Sequence, residues 1–240
     1  MGMPVTIEIV DMVFDKKILN AVFSYFKYID GKFSTYKKNS DISKINRGEL
    51  SEQDYSRDLK EIFLLSEKTK RESNGYFDIY YKGKCDPSGL VKGWAIRNAG
   101  KLIESAGFSN FYVEAGRDVE ICGNNREGKK WNVGIKNPFD DREIVKVLYL
   151  SNCGIATSGT YTRGEHIYNP KGDKVEDGIV SLTVVGPNVY EADRWATAGF
   201  AMGRKGIDFL EKLNYIEAYM IDKDGIATMT SGFEKYTIDA

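Results

Sequence analysis

Six short apolar runs follow one another from Asn110 to Gly186: "NFYVEAG", "DVEICG", "WNVGI", "IVKVLYL", "GIAT" and "VSLTVVG", separated by clusters of Gly, Asn and Asp. Their length, their β-branched and aromatic content and the turn formers between them read as strands. Helical patterns lie before and after this block. Ile18, Val22, Tyr25, Phe26 and Ile29 recur at helical spacing. Ile62, Leu65 and Thr69 share a face of a segment from Ser56 to Ser73, and a third helix carries Leu90, Val91, Trp94, Ala95, Ala99, Leu102 and Ile103 up to a stop at Gly107. Two further helical segments, Glu191 to Met202 and Lys205 to Leu213, precede a closing strand pair, "EAYMID" and "GIATMT", that turns at Lys223 and Asp224. The opening "VTIEIV" alternates as a half-buried strand does. Strands grouped between helices, without strict β-α-β alternation, predict an α+β fold with an antiparallel sheet core and flanking helices, in one domain spanning residues 1–240.

Between the first two helices, "DGKFSTYKKNSDISKINRGELS" has little periodicity and reads as a loop long enough to suspect of function. The charge balance, 34 Lys plus Arg against 35 Asp plus Glu, includes no basic stripe, which argues against a nucleic-acid partner. Cys85, Cys122 and Cys153 are odd in number and widely spaced, so neither a disulfide framework nor a zinc site is suggested. The N-terminal "MGMPVTIEIVDMVFD" does not read as a signal peptide, and no apolar run approaches the roughly 18 residues of a membrane span. The expectation is a cytoplasmic protein, or an exported one whose leader has been trimmed.

Three segments carry candidate chemistry. In "CDPSGLVKGWAI", Pro87, Ser88 and Gly89 form a tight turn before a helix whose unpaired N–H groups suit an anion. Lys92 sits poorly against the helix dipole there unless an anionic ligand compensates; the other reading is a surface lysine after a turn. Asp86 either shapes that turn or accepts a ligand hydrogen bond. In "ATSGTYTRGEHIYNP" the chain's single histidine, His166, lies in a hydroxyl-rich loop between strands, placed for proton transfer or serving a structural role. In "EADRWATAGFAMG", Asp193 and Thr197 project from one helix face. A carboxylate and a hydroxyl together suit Mg²⁺, though a helix N-terminal charge beside an ordinary hydroxyl explains the pattern as well.

Taken in order along nearly the whole chain, these motifs resemble the ApbE family of flavin transferases. "MGMPVTI" is similar to the family's M-G-T-x-x-x-V, "FSTYKKNSDISKIN" to S-x-Y-x-x-x-S-x-I-S-x-x-N and "NGYFDI" to G-x-F-D. "DPSGLVKGWAI" is similar to D-x-G-G-x-x-K-G-Y-A-V, "ATSGTYTRGEHIYNP" to A-T-S-G-x-Y-x-x-x-x-H-I-x-x-P, and "ADRWATAGFAMG" to A-D-A-x-A-T-A-x-x-x-x-G. The resemblance implies a T-fold-like α+β domain that moves FMN from FAD onto a Thr or Ser hydroxyl of a target protein and releases AMP. It implies an FAD site lined by Met1, Tyr36, Tyr76, Phe77, Asp78, Asp86, Lys92 and Ile167. It further implies Mg²⁺ held by Asp193, Thr197 and the carbonyl of Gly89, with His166 as the base for the acceptor hydroxyl.

Two positions depart from that pattern. Ser88 stands where the family usually has the first of two glycines, and Arg117 turns its usual G-G-D into "GRD", where a side chain would narrow the site or pair with a phosphate. Other readings therefore stay open: an FAD pyrophosphatase on the same scaffold, and a flavin-binding protein without turnover. Oligomeric state is not legible, a homodimer included.

Overall fold

In the strand block, both alternating sets of side chains are apolar. A strand of that kind must be covered on both faces, so the sheet has to be an inner layer. The computed structural model describes residues 2–11, 16–159, 168–172 and 178–238. Its main sheet has seven strands in the order β1-β4-β5-β8-β9-β10-β11. They are β1 (Val5–Ile9), β4 (Phe111–Ala115), β5 (Asp118–Cys122), β8 (Cys153–Gly159), β9 (Ile179–Gly186), β10 (Glu217–Asp222) and β11 (Ala227–Met229). Every neighbouring pair is antiparallel, as the α+β reading requires. Strands β2 (Tyr80–Tyr81) and β3 (Lys84–Cys85) form a small separate ribbon.

On one face, Phe111, Val113, Ala156, Leu182, Val184, Ala218 and Met220 meet the helices in the larger core. These are α1 (Lys16–Phe33), α2 (Asp41–Asn46), α3 (Arg57–Glu72), α4 (Ser88–Ser105), α5 (Val189–Ala201) and α6 (Lys205–Leu210). The other face places Val119, Ile121, Ile155, Val185, Tyr219 and Ile221 in a second core beneath a hairpin of β6 (Trp131–Lys136) and β7 (Ile144–Leu150). Between that hairpin and the sheet lies a cavity of about 390 Å³ bordered by Trp131, Tyr112 and Ile121.

Helices α2, α3 and α5 begin at side-chain caps. Ser56 accepts the Leu59 N–H to start α3, and Asn188 accepts the Glu191 N–H to start α5. The stretch expected to be an irregular loop contains α2: Ser40 accepts the Ser43 N–H, and Ile42 is fully buried. A helix of six residues is too short for a periodic signal, which explains the discrepancy. Asn46, at its end, bonds both the N–H and the C=O of Cys85 and so fixes the segment to β3. Likewise β8 runs past the expected "GIAT" strand to take in Ser158 and Gly159 of the hydroxyl-rich segment.

Helices α4 and α5 cross at Gly93. A Cβ there would stand 2.6 Å from Asp193 Cβ and 2.7 Å from the Val189 carbonyl oxygen, so only glycine allows this approach. Gly93→Ala is expected to force the helices apart and destabilise the chain by about 1–3 kcal/mol, read as a lower midpoint in chemical denaturation. An unchanged midpoint would show that the contact has slack.

Candidate functional site

Helix crossing at Gly93 directs Asp193 into a cavity of about 590 Å³ bounded by the start of α4, the first turns of α5, the β4–β5 turn and the end of β8. Of the residues proposed from sequence, Tyr76, Phe77, Asp78, Asp86, Gly89, Lys92, Asp193 and Thr197 all border it. Tyr36 does not: the loop after α1 leaves the residue 96% exposed, its backbone N–H donating to the Ser34 hydroxyl. Met1, His166 and Ile167 lie outside the described residues.

Each wall is locally fixed. Asp86 caps the turn into α4 by accepting the Ser88 N–H at 3.0 Å. Asp78 accepts the Tyr80 N–H and pairs with Lys70 at 2.7 Å, while its carbonyl accepts the Tyr168 hydroxyl. Phe77 is buried, its ring edge 3.5 Å from where a Cβ on Gly89 would stand, so Gly89 leaves a bare backbone surface there.

At the cavity's inner end three charged side chains meet. Lys92 Nζ lies 2.6 Å from Asp118 Oδ2 and 3.5 Å from Asp193 Oδ1, and Asp193 Oδ2 accepts the Gly93 N–H at 2.7 Å. The sequence left Lys92 either compensated by an anionic ligand or on the surface after a turn; in the structure two carboxylates of the chain itself face it. Burial pushes the Asp118 carboxyl up to about 7; Lys92 opposes the rise and the nearby Asp193 adds to it. Asp118 was not singled out from sequence. Its signal was its place directly after a Gly-Arg turn, at the start of a strand.

Thr197 Oγ1 donates to the Gly89 carbonyl oxygen at 3.1 Å, one helical turn beyond Asp193. Two cis ligands of an octahedral Mg²⁺ with bonds of about 2.1 Å are about 3.0 Å apart, so this pair already has the separation such a shell needs. Carboxylate, hydroxyl and carbonyl are all hard oxygen donors, and the residues present fit that cation. Among the described residues no cluster of three His, Cys, Asp or Glu side chains competes with them.

The sequence profile described as "ApbE family" matches residues 1–84 and 81–220. The chain belongs to the ApbE family. Curated relatives are the FAD:protein FMN transferases of Escherichia coli K12, 32% identical over 158 residues (62% of this chain, 44% of the relative), and of Haemophilus influenzae, 30% identical over 167 residues (63% and 48%). The chain thus spans less than half the length of these relatives. Two solved structures share the fold: an ApbE protein from Thermotoga maritima (TM-score 0.86, 22% identity, 99% of this chain and 96% of that one) and the flavin transferase ApbE from Vibrio cholerae (0.84, 22%, 98% and 96%).

Within this ApbE-family fold, Gly116 and Arg117 form the two-residue turn between the paired Ala115 and Asp118. Both have positive φ, 61° and 76°. A two-residue hairpin turn of this type favours glycine or asparagine at both places, and the left-handed region costs an arginine about 1 kcal/mol. Arg117 borders both this cavity and the one beneath the β6–β7 hairpin.

Behind the site, Glu120 fixes the start of α5 by accepting the Val189 N–H at 2.7 Å, and it pairs with Arg97 at 2.8 Å. Burial outweighs both contacts and pushes its carboxyl up to about 7 from 4.5. Between those values the folded chain holds a proton that the unfolded chain has released. This contribution to stability is therefore complete below pH 4.5 and lost as pH rises through about 7. Denaturation series between those pH values should show Glu120→Gln with a flatter fall of stability than wild type. Identical slopes would assign the proton elsewhere.

Proposed function

We propose that the protein is an Mg²⁺-dependent FAD:protein FMN transferase that moves FMN from FAD to a Thr or Ser hydroxyl of a target protein and releases AMP. The observation that carries this is the oxygen set of Asp193, Thr197 and Gly89 at the end of a cavity large enough for a sizeable part of a dinucleotide. Family membership and the names of the curated relatives support the same reading.

In this reading Asp193, Thr197 and the Gly89 carbonyl would hold Mg²⁺, which would supply positive charge against the diphosphate. The Gly93 N–H and Lys92 hold the Asp193 carboxylate in place, so its geometry is set before substrate arrives. The acceptor hydroxyl oxygen forms a bond to the flavin-side phosphorus, the bond from that phosphorus to the bridging oxygen breaks, and AMP leaves with that oxygen. His166 is proposed to take the hydroxyl proton. Tyr76, Phe77, Asp78 and Asp86 form the wall against which FAD lies.

Incubation with FAD, Mg²⁺ and a target domain bearing the acceptor threonine should yield a covalently fluorescent band on a denaturing gel. AMP release with no such band would replace the transferase with an FAD pyrophosphatase. Asp193→Asn keeps an oxygen to accept the Gly93 N–H but removes the charge, and should lower Mg²⁺-dependent AMP release at least about 100-fold. Retained activity in that variant would remove Asp193 from the metal set.

A further inference from the structure

The two carboxylate oxygens of Asp193 are not equivalent. Oδ2 accepts the Gly93 N–H at 2.7 Å within the helix crossing, so Oδ1 is the oxygen better placed to take a cation. That same Oδ1 faces Lys92 Nζ at 3.5 Å. An ammonium and a divalent cation compete for one oxygen. Were Lys92 to close to the roughly 2.7–2.9 Å of a direct charge-assisted hydrogen bond, it would occupy the lone pairs a metal needs and repel the metal's charge.

On the far side of the ammonium stands Asp118. Its Oδ2 lies 2.6 Å from Lys92 Nζ, nearer than Asp193 by 0.9 Å (3.5 − 2.6). Asp118 is itself held by the sheet: its Oδ1 accepts the Thr157 N–H at 3.2 Å, and its backbone pairs with Ala115 across the β4–β5 turn. It is fully buried and does not border the cavity, so it reaches the candidate metal oxygens only through Lys92. A buried ion pair is a weak source of stability, because desolvation offsets much of the attraction. Its value here lies in where it leaves the ammonium.

We propose that Asp118 is a positioning residue for the oxygen set: it draws the Lys92 ammonium away from Asp193 Oδ1 and keeps that oxygen open to a divalent cation. This rests on the metal reading of Asp193, Thr197 and the Gly89 carbonyl. Charge leads to the same conclusion. One carboxylate against Lys92 makes a neutral pair, whereas two leave one negative charge for the incoming cation.

Mn²⁺, which takes the same hard-oxygen octahedral shell, is the probe, and its uptake by the protein without FAD is read from the loss of the free-ion EPR signal. Titrations at about pH 8 keep Asp118 mostly ionised, its carboxyl lying near 7. Asp118→Asn should bind Mn²⁺ roughly tenfold or more weakly, a coupling of the size seen between contacting charged groups. Adding Lys92→Met to Asp118→Asn removes the competing ammonium and should return the affinity to within about threefold of wild type. Glu114→Gln removes a carboxylate from the cavity border without touching Lys92 and should cost far less. Unchanged affinity in Asp118→Asn overturns the proposal. So does a double variant as weak as the single one, which marks a packing role, or an equal loss in Glu114→Gln, which marks net charge alone. A wild-type protein that takes up no Mn²⁺, or an Asp193→Asn variant that binds as wild type does, sinks the metal reading and this one with it. Normal uptake lost in Asp193→Asn but kept in Asp118→Asn sinks the positioning role alone.

Discussion

The hydrogen bond from the Gly93 N–H to Asp193 is the contact on which the site depends. It lies where α4 and α5 cross too closely for any side chain on Gly93, so a backbone donor of one helix meets a carboxylate of the other inside the core. A carboxylate buried in this way would be costly without partners, and here the amide and Lys92 satisfy it. One packing contact therefore fixes the helix crossing, the orientation of Asp193 and the place of the candidate metal oxygens.

Around that crossing, several charged groups in the interior are held by opposite charges or backbone amides. Arg194, fully buried on α5, is answered by Glu191 and by Glu72 of α3. Glu120 is answered by the first amide of α5 and by Arg97. Helix α5 is thus anchored at its start, on its flank and at Asp193, which leaves it little freedom relative to the cavity. Preorganisation of this kind matters for group transfer, since donors that are already oriented need not rearrange as charge develops.

Much of the fold was legible because its signals are local. The apolar alternation of "VSLTVVG" and the helical spacing of Leu90, Val91 and Trp94 depend only on neighbours in the chain. The pair Asp193 and Thr197 was legible for the same reason, being one helical turn apart. Asp118 was not, because its importance arises from Lys92, a residue 26 positions earlier (118 − 92) brought to it by the sheet. Tyr36 shows the reverse: its motif was readable, yet the loop carrying it projects the ring into solvent. Helix α2 was hidden by its brevity, and only burial of Ile42 and the bonds of Asn46 reveal why that segment is ordered.

The β6–β7 hairpin has its own ladder and is a separate sheet from the seven strands beneath it. Its hold on them comes largely from side chains such as Trp131, Ile135 and Leu148 in the second core. Sliding or lifting it would strain packing without unzipping any rung of the main sheet. The room above β4, β5 and β8 can accordingly change volume without breaking a rung of the main sheet.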